Sequence, residues 1–215
     1  MSFKYYKTKQ LIALIAVLIV IANIIIKVSG PYLHTLISGP IKEEILTIAD
    51  YIGICGVLGI VGIFLYAINK WLWKFTAFKW LVDIPNLNGR YTGKLISDFN
   101  SSTKKDAVIE IKQTASEINI CGYFADEGTT HQTSSSYSRS EVIDKGHNDF
   151  FTLLYLYANE PNLTSSQVFE HGGSVSLKYF PDNKTLKGEY YNKRKNHGTL
   201  ELKFESEQLL GRFEK

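Results

Sequence analysis

Two long apolar runs near the N-terminus constrain the fold of this chain more than any other feature. Residues 11–26 read LIALIAVLIVIANIII, without charge and with Asn23 as the single polar residue, and residues 51–68 read YIGICGVLGIVGIFLYAI, also without charge. A helix needs about 20 apolar residues to cross a bilayer. From about Leu81 onward polar and apolar residues alternate, and no run is long enough to span a membrane. The sequence therefore predicts two transmembrane helices followed by a soluble domain.

The predicted transmembrane helices cover about residues 10–28 and 50–69, so the membrane module spans residues 1–80 and the soluble domain residues 81–215. The first run could instead be a secretory signal peptide, since it follows a lysine-rich segment. Its apolar core is longer than that of a signal peptide, and no A-x-A-like cleavage site follows it. We therefore interpret both runs as transmembrane helices.

Lysines flank the two helices unequally and predict their orientation. Three lysines precede the first helix and three follow the second, whereas the connecting loop offsets Lys27 and Lys42 with three carboxylates. Because cytoplasmic flanks carry an excess of Lys and Arg, both termini are expected in the cytoplasm, with the loop on the other side. All the tryptophans follow the second helix, where an aromatic belt would meet lipid headgroups: Trp71, Trp73 and Trp80.

Glycines recur at every third position of the second apolar run, as Gly53, Gly56, Gly59 and Gly62. Small residues allow helix backbones to approach closely in lipid. The spacing fits contact between the two helices of one chain and equally contact between copies in an oligomer. Two helices cannot enclose a transport pathway, so any membrane activity would require several chains.

From Asn88 onward the hydrophobic period changes to two, which is typical of β-strands with one buried face. Links of hairpin length favour an eight-stranded up-and-down β-barrel, with a β-sandwich as the second choice. A barrel of eight strands is either filled by side chains or holds one small ligand. The predicted strands lie near residues 89–96, 107–113, 116–124, 133–142, 150–158, 174–180, 185–192 and 198–204.

Alternation along these strands indicates which side chains point into the barrel. Serines occupy one face of the fourth strand, and small hydroxyl groups suit a water-filled cavity better than a packed core. Aromatic faces, amides and a guanidinium suit a planar base and a phosphate. The candidate ligand-binding residues are Tyr91, Gln113, Ser136, Ser138, Tyr155 or Tyr157, Tyr190, Asn192 and Arg194. Each tyrosine could instead be structural, and Arg194 could belong to a solvated hairpin tip.

The sequence contains no recognisable catalytic or metal-binding motif. Its five histidines are scattered, and HExxH, paired CxxC, P-loop and G-x-S-x-G patterns do not occur. The net charge of +3 is mild and favours anionic partners. We therefore expect a binding protein without a metal or a cofactor, and not an enzyme.

Several motifs carry a resemblance to a known family. These are the two N-terminal apolar helices, the tryptophan-rich junction, the opening strand PNLNGRYTG at 85–93, and a closing hairpin with LKGEYYN at 186–192 and HGTL at 197–200. Together they resemble the two-transmembrane, β-strand-rich effectors of bacterial cyclic-oligonucleotide-based antiphage signalling systems (CBASS). The resemblance covers essentially the whole chain in architecture.

The resemblance implies a specific function. In such systems a phage-activated nucleotidyltransferase (CD-NTase) makes a cyclic dinucleotide, the cytoplasmic barrel binds it, and the effector oligomerises in the inner membrane. Disruption of that membrane kills the infected cell, an outcome known as abortive infection. The implied partners are the cyclic dinucleotide, membrane lipids, other copies of the chain and, functionally, the cyclase, but no nucleic acid polymer.

Two other functions remain open from the sequence. A membrane-anchored barrel could bind a lipid or another small apolar ligand without disrupting membranes, although the serine-rich strand disfavours an apolar cavity. Alternatively, tyrosine and arginine side chains could form an enzyme site that turns over a cyclic dinucleotide.

Overall fold

The computed structural model describes residues 3–36, 42–99, 103–146, 150–161 and 171–214. The chain separates into two compact units. One unit comprises the chain up to Asp83 together with Thr114–Ser116, and the other comprises Ile84–Gln113 and the residues from Glu117 onward. The first unit is helical and the second is built from β-strands, as the change of period near Asn88 predicts.

The first unit contains the two predicted helices, α1 (Thr8–Leu36) and α2 (Lys42–Lys70). Within α1 the stretch Thr8–Val28 is long and apolar enough to cross a membrane. In α2 the corresponding apolar stretch, Gly56–Lys70, is shorter within the described residues. A membrane crossing by α1 is therefore supported by length and composition, and a crossing by α2 stays a prediction.

Among the described side chains, the glycine-bearing face of α2 meets α1 at Gly56. A Cβ atom built on Gly56 would lie 3.4 Å from Ile26 Cδ1, whereas Gly59 and Gly62 have no neighbour within 4 Å among the described atoms. Gly53 lies outside the described side chains. Contact between the two helices of one chain thus uses Gly56, and contact between copies remains a prediction.

The segment after α2 forms two short 3-10 turns, Leu72–Lys74 and Thr76–Phe78. It is fastened to the start of the chain, because the amide of Lys7 donates to the carbonyl of Leu81 at 2.9 Å. Trp73 is buried, while Trp71 and Trp80 are about half exposed. Two of the three tryptophans therefore keep the exposure that an aromatic belt requires.

The second unit is a closed barrel of eight antiparallel strands in sequence order, with β8 paired to β1. The up-and-down barrel predicted from the sequence is thus confirmed and the sandwich is wrong. The strands are β1 (Gly89–Ser97), β2 (Thr103–Gln113), β3 (Ile118–Asp126), β4 (Gln132–Lys145), β5 (Phe151–Pro161), β6 (His171–Phe180), β7 (Thr185–Asn192) and β8 (His197–Ser206).

The interior of the barrel differs between its two ends. The closed end, where β1 begins and β8 ends, is filled by large apolar side chains, including Tyr91, Ile111, Leu153, Leu177 and Leu202. Burial of such side chains stabilises the fold by about 1.5–3 kcal/mol each. The opposite end, where β1 ends and β8 begins, is open and more polar. Among the described residues, the open end is therefore where a ligand site is expected.

The chain after β8 packs on the outer face of the barrel. Phe213 is buried against Val108 and Ala125, with Tyr123 beside them. Arg90, which alternation assigns to the solvent-facing side, is only 1% exposed. It points outward as predicted, but the C-terminal segment covers it, and strand alternation cannot show such a cover.

Candidate ligand-binding site

A cavity of about 240 Å³ opens at the polar end of the barrel. Every strand of the barrel contributes to its wall, because the ends of β1, β3, β5 and β7 and the starts of β2, β4, β6 and β8 meet there. The lining residues are Leu95, Ser97, Phe99, Thr103, Lys105, Phe124, Ser134, Ser136, Tyr155, Tyr157, Asn159, His171, Val175, Tyr190, Asn192, Arg194, Asn196 and Leu200.

Six of the nine predicted ligand-binding residues line this cavity. They are Ser136, Tyr155, Tyr157, Tyr190, Asn192 and Arg194. The inward alternation of β4, β5 and β7 brings the first five together, since alternate side chains of a strand share one face, and the turn after β7 adds Arg194. Their contact with a ligand remains a prediction, but their common location is a property of the fold.

Three tyrosine rings form the aromatic part of the wall. Two glycines make room for them, because a Cβ on Gly173 would lie 2.7 Å from the Tyr157 hydroxyl and a Cβ on Gly198 would lie 2.7 Å from Tyr190 Cε1. Each glycine therefore sets the position of a ring as well as the close approach of two strands. The third ring, that of Tyr155, is buried on the same strand as Tyr157.

Burial moves the pKa of these tyrosines further above neutral pH. It raises the pKa of Tyr157 to about 12, with the neighbouring Tyr190 adding to the shift. Burial also raises the pKa of Tyr155 and of Tyr190 above the ordinary value, although a hydrogen bond with Ser97 opposes the shift at Tyr190. At neutral pH all three hydroxyl groups are therefore neutral and able to donate hydrogen bonds.

Two buried polar side chains face the cavity from adjacent strands. Ser136 of β4 and Asn159 of β5 are direct register partners. They are only 9% and 6% exposed. Both side chains line the cavity, and neither belongs to the fully buried polar groups of the described residues that lack a hydrogen bond. Buried polar groups are normally hydrogen-bonded, so this pair is suited to a polar ligand.

The β7–β8 turn brings polar side chains to the mouth of the cavity. Asn192 Oδ1 accepts hydrogen bonds from the amides of Arg194 at 2.9 Å and Asn196 at 3.1 Å. Lys195 adopts the left-handed conformation with a φ of 64°, which completes the tight turn. Asn192 therefore both lines the cavity and holds the loop that places Arg194 at its edge.

Two further basic side chains lie around the mouth. Lys105 Nζ contacts Asp126 Oδ1 at 3.1 Å and Thr133 Oγ1 at 3.2 Å. His171 begins β6 and also lines the cavity. Together with Arg194 these residues give the mouth a set of groups that can bind an anion, while the interior is aromatic and neutral. No cluster of His, Cys, Asp or Glu suited to a metal ion occurs among the described residues.

The remaining three predicted residues lie outside the cavity. Tyr91 is buried at the closed end, edge-on to Phe204 at a centroid distance of 5.6 Å. Gln113 binds the backbone of the preceding loop, accepting from Leu87 at 2.7 Å and donating to Pro85 at 3.0 Å. Ser138 Oγ accepts from the amide of Ile120 at 3.0 Å, beside a bulge in β4. Alternation predicts the face of a strand, but not the height of a residue along the barrel.

Sequence reasoning missed several polar lining residues, notably Lys105, Asn159 and His171. All three lie at strand ends that the sequence pattern assigned to loops, because β2, β5 and β6 are longer than predicted. Lys105 shares its parity with inward-facing Ile109, and Asn159 shares its parity with Tyr157. Extending the alternation by two residues would have identified both.

Comparison with known proteins supports the resemblance. Residues 82–204, more than half of the chain, match the family described as Cap15, cyclic dinucleotide receptor domain. A CD-NTase-associated protein 15 from Escherichia albertii is 28% identical over 141 residues, 62% of this chain and 68% of that protein. One from Yersinia aleksiciae is 27% identical over 141 residues, 64% of this chain and 64% of that protein. The chain therefore belongs to the Cap15 family of cyclic dinucleotide receptor domains, as the resemblance to CBASS effectors indicated.

Proposed function

We propose that this protein is a membrane-anchored CBASS effector whose barrel binds a cyclic dinucleotide in the cavity at its open end. The observation that carries the proposal is the combination of an aromatic wall, a buried polar pair and a basic mouth in one cavity. The family match supports the same class of ligand. A receptor domain on a β-barrel favours a binding effector rather than an enzyme.

The chemistry of the cavity matches the parts of a cyclic dinucleotide. A base can stack on tyrosine rings, each stacking contact contributing about 1–3 kcal/mol. Phosphate groups can bind the basic side chains at the mouth, where hydrogen bonds to ionised groups are stronger than those between neutral groups. Arg194 is the residue best placed for this role on the β7–β8 turn.

The size of the cavity indicates how such a ligand would enter. Pockets that enclose drug-sized ligands typically measure about 300–1,000 Å³, and this cavity of about 240 Å³ is smaller. A cyclic dinucleotide carries two bases on a ring of two sugars and two phosphates. We expect one base inside the barrel and the phosphates at the mouth.

The response to the ligand would take place in the membrane module. A ligand shifts a conformational equilibrium only if it binds one state more tightly than the other. We propose that the ligand favours a self-associating state in the inner membrane, and that α1 and α2 of several copies then disrupt the bilayer. The Gly59 and Gly62 positions, open on the described surface of α2, suit contact between copies.

A titration of the full-length protein in lipid nanodiscs tests the binding step. Cyclic dinucleotides carrying adenine, guanine, cytosine or uracil are titrated by calorimetry, with the matching linear dinucleotides and a lysophospholipid as comparison ligands. We expect saturable binding of at least one cyclic dinucleotide and recovery of the ligand unchanged. Binding of the lysophospholipid alone would favour the lipid-binding alternative, and a converted nucleotide would indicate an enzyme.

A second experiment tests the response. The full-length protein is reconstituted in dye-loaded vesicles of bacterial phospholipid. Dye release is recorded before and after addition of the cyclic dinucleotide that binds in the titration. We expect release only with the ligand, and a larger complex in cross-linking experiments on the same vesicles. Binding without dye release would limit the proposal to a receptor.

A further inference from the structure

We infer that Ser136 and Asn159 form a base-reading pair that recognises the hydrogen-bonding edge of one nucleobase of the ligand. The inference rests on the proposed function, because it assigns base selection to one part of the same cavity. It goes further in stating which residues select the base and that only one of the two bases is selected.

The first argument is the burial of this pair. A polar group removed from water without a partner destabilises the folded state by about 1–3 kcal/mol in proteins. Ser136 and Asn159 are 9% and 6% exposed and line the cavity, so a ligand that fills the cavity must replace the remaining contact of their polar groups with water by hydrogen bonds. A chain that needed only a stable barrel could place apolar side chains at both positions.

The second argument is geometric. Asn159 and Tyr157 occupy successive inward positions of β5, and Ser136 lies directly across the strand pair from Asn159. Side chains two residues apart on a strand share one face and lie about 7 Å apart. A base that stacks on the Tyr157 ring would therefore direct one edge towards the amide and the hydroxyl.

The third argument is chemical complementarity. An asparagine amide presents a donor and an acceptor side by side, and a serine hydroxyl can donate or accept. The pairing edge of a nucleobase also presents a donor next to an acceptor, so the amide can bind it through two hydrogen bonds. A good contact of this kind discriminates against the wrong base by about 1–3 kcal/mol, which corresponds to about 5-fold to 150-fold in affinity.

The consequence is unequal recognition of the two bases. Among the described lining residues, Ser136 and Asn159 form one buried pair that can read the edge of a base, and the cavity has room for about one base. A mixed cyclic dinucleotide that carries the selected base once should bind nearly as well as the symmetric one that carries it twice. The difference expected is the statistical factor of about two for two equivalent orientations.

The test measures ratios of affinity in the full-length protein in nanodiscs. Symmetric and mixed cyclic dinucleotides covering the four bases are titrated into the wild type, Asn159→Leu, Asn159→Asp and Ser136→Ala. Asn119→Asp is the matched control, because Asn119 is exposed on β3 and faces away from the cavity. Since the Asn159→Asp substitution adds a negative charge near the phosphates, the ratio between bases is the readout rather than the affinity itself.

We expect the wild type and Asn119→Asp to prefer one base by about 10-fold or more. Asn159→Leu should reduce that preference to about 3-fold or less, and Ser136→Ala should reduce it to a smaller extent. Thermal unfolding of each variant verifies that it is folded, and Asn159→Asp substitutes for Asn159→Leu if the latter is not.

Two results would overturn the inference. One is that the variants at Asn159 and Ser136 bind every cyclic dinucleotide more weakly by the same factor, so that the preference between bases is unchanged. The other is a preference that needs the selected base at both positions of the ligand. These results leave the proposed function intact, whereas failure of every cyclic dinucleotide to bind the wild type removes the proposed function as well.

Discussion

Two groups of buried polar side chains in the barrel differ in how their polar atoms are satisfied. On the outer face, Arg90 and Glu110 are buried beneath the C-terminal segment, with an Nη1–Oε1 distance of 2.7 Å. Inside the barrel, Ser136 and Asn159 are buried but line the cavity, where a ligand can reach their polar atoms. The contrast suggests that the outer cluster contributes stability and that the inner pair is reserved for a ligand.

The outer cluster is closely hydrogen-bonded. Arg90 also contacts Glu205 through Nε at 2.8 Å and donates to the carbonyls of Arg212 and Glu214. Glu110 accepts from the amide of Leu210 at 2.8 Å. One buried ion pair therefore fastens an irregular segment that has no strand partner of its own, and this segment lies beyond the family match, which ends at residue 204.

The largest effect is expected from breaking this outer pair. Arg90→Met leaves the Glu110 carboxylate buried without its cation, which should lower the free energy of unfolding by about 3–5 kcal/mol. Chemical denaturation of the full-length protein in detergent measures the change. Lys187→Met, which removes the exposed Lys187–Glu201 pair, is the matched control and should change stability by about 1 kcal/mol or less. An equal loss of unfolding free energy in the two variants would show that the buried pair contributes no more stability than an exposed one.

A different outcome is expected inside the cavity. Asn159→Leu replaces an amide that faces the cavity by an apolar group of similar size, so the stability of the ligand-free protein should change by about 1 kcal/mol or less. The same variant should bind the ligand less well. Thermal unfolding with and without the cyclic dinucleotide measures both effects. A clear loss of stability in the free protein would mean that Asn159 is structural, and would contradict the comparison.

The aromatic wall should affect affinity rather than stability. Tyr157→Leu removes a stacking surface and should weaken binding by about 10-fold, within the 1–3 kcal/mol range for base stacking. Tyr157→Phe keeps the ring and serves as the control. Calorimetric titration measures the affinity of each variant. An equal loss of affinity in both would assign the effect to the tyrosine hydroxyl and not to the ring.

At the mouth, Arg194→Ala should weaken binding by about 10-fold, because a hydrogen bond to a charged group contributes about 1.5–3 kcal/mol. Lys193→Ala, the adjacent residue that does not line the cavity, is the matched control. The loss should be smaller at high salt, since screening reduces the contribution of charges near solvent. A similar loss in both variants would point to general electrostatic attraction instead of a specific contact.

The smallest effect concerns pH. Burial raises the pKa of Tyr157 to about 12, whereas an unfolded tyrosine titrates near pH 10. Between these values the folded chain holds a proton that the unfolded chain releases, so stability falls as pH rises, and below pH 10 the effect is absent. Tyr157→Phe should make the decline in Tm between about pH 10 and about pH 12 shallower. Tyr137→Phe, at an exposed position, should leave the decline unchanged.

The sequence predicts the barrel well because strand alternation is a direct consequence of burying one face. It predicts the inward direction of Tyr157, Tyr190 and Asn192 for the same reason. It does not predict the height of Tyr91 or Gln113 along the barrel, because a period of two carries no information about register between strands. It also cannot show that Arg90 is covered, since that depends on a distant segment without a repeating pattern.

The closing of the barrel by β1 and β8 has a consequence for protein synthesis. The pairing joins Tyr91 to Phe204, so the last wall of the cavity forms only after nearly the entire chain has left the ribosome. Contacts so distant in sequence make folding slow, because loop closure precedes any gain from pairing. A chain that stops before Leu200 would contain both helices and lack the complete cavity. Such a fragment could be inserted in a membrane and yet be unable to bind the cyclic dinucleotide. Insertion in the membrane and activation by the ligand therefore depend on different parts of the chain.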